Sequence, residues 1–172
     1  MKSLAPLDFA TSIAYLLPGF LAIFGLRYVS PQVRAMFSAS FSEGGGFGLE
    51  VAILLFSLTA GIVVGAVRAL LLDKVHALTG VRRPDLDYSK LKDKETRNAF
   101  KEVISNRYRF AQFYGNTLVA LMFFGALRVA SYDSPPLSRW VSVLLAGALL
   151  VLFVQHRRSL AETYTDLKKV LS

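Results

Sequence analysis

Val51–Val67, VAILLFSLTAGIVVGAV, is a run of 17 residues without a formal charge, closed by Glu50 and Arg68. A hydrocarbon core roughly 30 Å thick is crossed by about 17–25 apolar residues at about 1.5 Å of helical rise each. A helix on the surface of a soluble bundle places polar residues every third or fourth position on its outer face. This stretch shows nothing of the kind, and neither does Val141–Val154. The reading is a transmembrane helix.

Working outward, three more runs have the same character. Between Asp8 and Arg27 lie 18 uncharged residues, between Arg109 and Arg128 another 18, and between Arg139 and His156 16. The last is short, but Trp140 and His156-Arg157-Arg158 can anchor its ends at the two interfaces. Across the 172 residues the hydrophobic fraction is 53% and the mean hydropathy +0.44, above the usual range for soluble domains. The expected fold is all-α: one membrane domain over 1–172 with spans at about 9–29, 49–72, 110–129 and 140–156. The first run reads as a retained helix and not a signal peptide. Lys2 is its only basic residue, Asp8 sits at its edge, and no small-x-small cleavage site follows.

Charge supplies orientation. With four spans, Lys2, the basic residues from Arg68 to Arg109 and those from Arg157 to Lys169 share one side, 16 in all, against four (Arg27, Arg34, Arg128, Arg139) on the other. Basic residues prefer the cytoplasm, so both termini and the hairpin at about 73–109 are expected inside. Pro18-Gly19 predicts a kink in the first span. Ser30-Pro31 reads as a cap and first residue of a short helix carrying Val33, Met36, Phe37 and Phe41, with Gly44-Gly45-Gly46 as a joint after it. The second helix should stop at Gly80, after which Pro84–Lys92 is irregular. A new helix should start near Asp93 and run on into the third span. The fourth should continue as a tail helix over 157–172, with Leu160, Tyr164, Leu167 and Leu171 on one stripe. The inner ends would then form a cytoplasmic helical bundle.

Packing and polar groups come next. Ser57, Gly61, Gly65 and Ala69 recur every four residues, a spacing that lets two backbones approach in lipid. They suit a subunit interface or packing within the chain. Gln112 and Asn116, one turn apart and followed by Thr117, suit a pore lining or hydrogen bonds between helices. No carboxylate lies mid-membrane, which disfavours a proton-coupled transporter, and Arg68 is expected to snorkel to the headgroups. The absence of cysteine excludes disulfides and thiol chemistry. His76 and His156 could form a metal or haem pair, but no further ligand pattern accompanies them, and Asp85-Leu86-Asp87 reads as a solvated acidic pair. With no phosphate loop or nucleophile constellation, the chain is not expected to be an enzyme and no cofactor is implied.

The hairpin is the most informative region. From Asp73 to Ala111 it carries ten basic residues against six acidic ones. Arg82, Arg83, Tyr88, Arg97, Arg107, Tyr108 and Arg109 interleave guanidinium groups with aromatic rings, which suits the phosphates and bases of a nucleotide or single-stranded nucleic acid. Positive-inside topology and attraction to anionic lipids, about 1 kcal/mol per basic residue near the surface, explain much of the same charge. In a homo-oligomer, copies of the patch would reinforce one another.

Four spans in a short chain, the basic hairpin Arg82–Arg109, and Arg107-Tyr108-Arg109-Phe110-Ala111-Gln112-Phe113-Tyr114-Gly115-Asn116 at the entry to the third span together resemble the small four-helix membrane effectors of bacterial anti-phage defence systems, such as those of Hailong or CBASS type. The likeness covers the whole chain at the level of architecture and includes no diagnostic motif. It implies a homo-oligomeric pore or membrane-disrupting effector in the bacterial inner membrane, held in check by a cytoplasmic nucleotide or nucleic-acid ligand. The alternative is a membrane scaffold that docks a soluble partner on the stripe of its tail helix.

Overall fold

A computed structural model describes residues 9–41, 46–131 and 138–171. Its regular structure, among these residues, is helical throughout. The helices are α1 (Phe9–Leu26), α2 (Pro31–Phe41), α3 (Phe47–Leu78), α4 (Lys94–Glu102), α5 (Arg109–Ala130) and α6 (Arg139–Leu171), with a short 3-10 turn at Tyr88–Lys92 before α4. Among the described residues, three helical runs are long and apolar enough to cross a membrane: α3, the run from Lys94 to Ala130, and α6. α1 and α2, bent by 117° at the break between them, count as a fourth if taken as one span.

Local chemistry accounts for the ends of these elements. Ser30 Oγ accepts from Val33 N (3.3 Å) where Pro31 opens α2, leaving one fewer backbone donor to satisfy. α1 runs through Pro18 without interruption. α3 stops where Gly80 takes a φ of +98°, a left-handed conformation that costs other residues about 1–2 kcal/mol. This turn lets Val81 N reach back to His76 O at 2.9 Å. Arg157 of α6 completes the stop, donating to Thr79 Oγ1 (2.5 Å) and Thr79 O (2.8 Å). Gly44 and Gly45 of the glycine joint lie outside the described residues.

Asp93 caps α4. Its Oδ2 accepts from Thr96 N at 2.7 Å and from Thr96 Oγ1 at 2.8 Å. Those hydrogen bonds, the backbone one foremost, hold the carboxyl below its ordinary value of 3.8. The charged form is the one the cap favours, so its contribution is present above that ordinary value and lost as pH falls through the lower folded value. Amide exchange at Thr96 should therefore accelerate, relative to the α5 core, only below about pH 4, the ordinary aspartate range. In Asp93→Ala it should be fast at every pH. Equal protection of Thr96 in the two proteins at neutral pH would refute the cap.

The core is built from close approach. Ala22, Val64 and Ala120 meet where α1, α3 and α5 converge. The position a Cβ on Gly61 would take collides with the Tyr15 carbonyl, and one on Gly19 with the Ser57 carbonyl. Ser57, Gly61 and Gly65 of the stripe thus lie against α1 of the same chain, while Ala69 lines a cavity at the hairpin. At one end Phe37 of α2 stands edge-on to Phe20 and Phe24, 5.8 and 5.3 Å between ring centres, and is buried with Ile23 and Ile53. At the other end Leu86, Leu167 and Leu171 form a second core with Phe100, Val103 and Ile104 around it. The stripe on the α6 tail is thereby covered by the chain's own hairpin.

Candidate functional site: a basic aromatic cavity joined to a buried ion pair

The run from α4 into α5 is continuous, as its composition predicts, but Val103–Tyr108 is wound as a π-helix. Such widened turns re-aim the side chains around them and recur at functional sites. This one stands against the tail of α6, where Arg107 Nη1 pairs with Asp166 Oδ2 at 2.7 Å.

Between the π-turn, the end of α3, the 3-10 turn and the α6 tail lies a cavity of about 500 Å³. Its polar wall carries Asp73, Lys74, Arg83, Tyr88, Tyr108 and Tyr164, and its apolar wall includes Leu86, Phe100 and Ile104. Arg83 Nη2 donates to Tyr88 Oη at 2.5 Å. That bond, first, and the nearby hydroxyls of Tyr164 and Tyr108 hold its guanidinium proton more firmly than usual.

Of the seven residues expected to bind a ligand, the structure brings Arg83, Tyr88 and Tyr108 to this cavity. Arg82 instead donates to Ala77 O (3.3 Å) and lines a shallower neighbouring pocket. Arg107 is taken up by Asp166, Arg97 is exposed on α4, and Arg109 is half-buried at the start of α5. Lys74, Asp73 and Tyr164 complete the site from α3 and α6. Asp73 and Lys74 open the hairpin but sit on the last turns of α3, apart from the arginine and aromatic neighbours, and Tyr164 lies on the tail of α6.

Behind Asp73 is a buried polar cluster. Arg68, 3% exposed, donates through Nη1 to Asp73 Oδ1 at 3.2 Å. Where snorkelling is expected, Arg68 instead makes a buried salt bridge to a carboxylate five residues on. His156, fully buried, lies with Nδ1 2.8 Å from Ala111 O. A carbonyl only accepts, which assigns the proton to Nδ1, and Nε2 stands 3.4 Å from the same Asp73 oxygen. His76 packs on His156 and Phe153, with ring centres 4.9 and 5.1 Å apart. Among the described residues no group of three metal-ligating side chains gathers around the two imidazoles. Gly115 makes room for the cluster: a Cβ there would lie 2.6 Å from Arg68 Cδ and 2.8 Å from His156 Cε1.

The amides of α5 extend this polar layer to α1. Gln112 Nε2 donates to Tyr15 Oη (3.1 Å) and Asn116 Nδ2 to Ala14 O (2.9 Å). Both engage a neighbouring helix of the same chain, and Asn116 is fully buried. Arg68, Asn116 and His156 also keep buried polar atoms without a protein partner, which in a protein interior is the usual place for ordered water.

Compared with protein-family models, curated proteins and solved structures, the chain finds no match.

Proposed function

We propose that the chain is an oligomeric integral membrane effector or channel, gated or restrained by an anionic cytoplasmic ligand, of the kind its resemblance to anti-phage effectors implies. In this reading four spans cross the bacterial inner membrane, with the termini and the hairpin in the cytoplasm. One observation carries it: Asp73 lines the hairpin cavity, pairs with Arg68 and stands 3.4 Å from His156 Nε2. A ligand that shifts Asp73 acts at once on α3 and α6, and through His156 and Ala111 on α5. In this reading Asp73 is the shared element that would couple the ligand cavity to the spans.

Two features support assembly from several copies. Gln112 and Asn116 are committed to α1, so a conducting path would run between chains. The first half of α6 exposes Trp140, Val143, Leu144, Leu150 and Val151, and lipid or another copy would cover them. The scaffold reading is weaker, since the tail stripe offered to a partner is occupied by the hairpin.

The test is mass in detergent together with dye-reported ion flux in liposomes. A multimer that dissipates an imposed potassium gradient is expected, and Asp73→Asn should change that flux by at least several-fold. A monomeric, electrically silent protein, or a C-terminal reporter located outside the cell, would refute the proposal.

A further inference from the structure

We infer that the cavity binds one phosphate monoester carried on a compact aromatic or apolar body. The inference rests on the ligand-gated reading above and narrows it from anionic ligands in general to a chemical class.

The donor inventory leads there. Tyr88, Tyr108 and Tyr164, which carry hydroxyls, Lys74, which carries an ammonium, and Arg83, which carries a guanidinium, line one half-open cavity. Because the Tyr88 oxygen accepts from Arg83, its own O–H remains available to an outside acceptor. Asp73 is the one carboxylate of the wall, and its charge is answered from behind by Arg68. The field in the cavity is therefore set by Lys74 and Arg83. A wall so rich in donors is complemented by a group that only accepts and has many lone pairs. A terminal phosphate has three such oxygens, whereas a diester or a carboxylate has two.

Size and shape select the rest of the molecule. A volume of about 500 Å³ falls within the ~300–1,000 Å³ of small-molecule sites. A nucleic-acid strand calls for an open groove whose cations track its backbone. Arg97 and Arg107, which could extend the patch, lie outside the cavity, one exposed and the other paired with Asp166. Opposite the donors, Leu86, Phe100 and Ile104 would cover an apolar or planar body. Two sources supply this chemistry: a mononucleotide from solution, or the phosphate monoester headgroup of phosphatidic acid from the bilayer.

Binding to the full chain in dodecyl maltoside tests this, with adenosine 5′-monophosphate, adenosine, inorganic phosphate, dihexanoyl phosphatidic acid and a ten-residue oligothymidylate as probes. One of the two organic monoesters should bind saturably and at least tenfold tighter than adenosine, with inorganic phosphate weaker for want of a body. Arg83→Gln should lower that affinity at least tenfold and Tyr88→Phe about threefold, the cost of roughly half a hydrogen bond's net energy or more, while Arg97→Gln leaves it unchanged. A preference for the nucleotide or for the lipid identifies the source. Monoesters no tighter than adenosine, affinity indifferent to both Arg83→Gln and Tyr88→Phe, or an oligonucleotide that outcompetes them overturns the inference. Liposome flux on the same proteins separates the two ideas. Selective monoester binding without any flux refutes the gated effector alone, and flux without monoester selectivity refutes the cavity assignment alone.

Discussion

Gly61→Ala is expected to detach α1 from α3. The added methyl group would sit on the Tyr15 carbonyl, and a backbone atom cannot turn aside as a side chain can. Overpacking at such a site costs about 1–3 kcal/mol, occasionally more, and the upper end applies because two whole helices must move apart. Gly19→Ala drives a methyl into the Ser57 carbonyl from the opposite side and should cost as much. The pair should add up to less than the sum, since either one already opens the interface. Gly48→Ala, where a Cβ meets nothing within 4 Å, is the control and should be neutral or slightly stabilising. Thermal unfolding in detergent, followed by size-exclusion recovery, reads all four proteins. A Gly61→Ala protein as stable as Gly48→Ala would show that α1 does not pack against α3 as described.

Asp73→Asn should produce the second large effect. It leaves the Arg68 guanidinium, 3% exposed, facing a neutral amide. Removing one partner of a buried ion pair costs about 3–5 kcal/mol. Since the Asp73 side chain keeps 24% exposure, water offsets part of the loss and about 2–3 kcal/mol is the expected figure. The double variant Arg68→Met/Asp73→Asn removes the stranded charge with its partner and should recover most of that stability. A double variant less stable than Asp73→Asn alone would mean that Arg68 is held by other groups. The same cycle measured as ion flux asks whether the pair also restrains the protein, which stability alone does not answer.

Much of the architecture is legible because membranes impose one-dimensional rules. Charge-free runs mark the apolar helices, Gly80 marks the stop of α3, and Asp93 marks the start of α4. Each depends on residues within a few positions of one another. The site is less so. Arg83, Tyr88 and Tyr108 stand out as basic and aromatic neighbours, but their partners Lys74 and Tyr164 belong to other helices. Arg68 gives no local sign of its direction, since a lone arginine near the end of a span satisfies the snorkelling rule equally well. The π-turn at Val103–Tyr108 follows a sequence with no proline or glycine, so nothing local announces it.

By itself the amino-acid order determined which segments are helical, which are apolar enough for a bilayer, and where several of them stop, because rise per residue and burial of polar backbone act along the chain. Only the tertiary structure decided that Ser57, Gly61 and Gly65 of α3 face α1 of the same chain, that the α5 amides turn inward, and that Asp73 pairs with Arg68 beside His156. Those outcomes depend on which face each helix turns to its neighbours, a rotation that hydrophobicity leaves open when nearly every face is apolar.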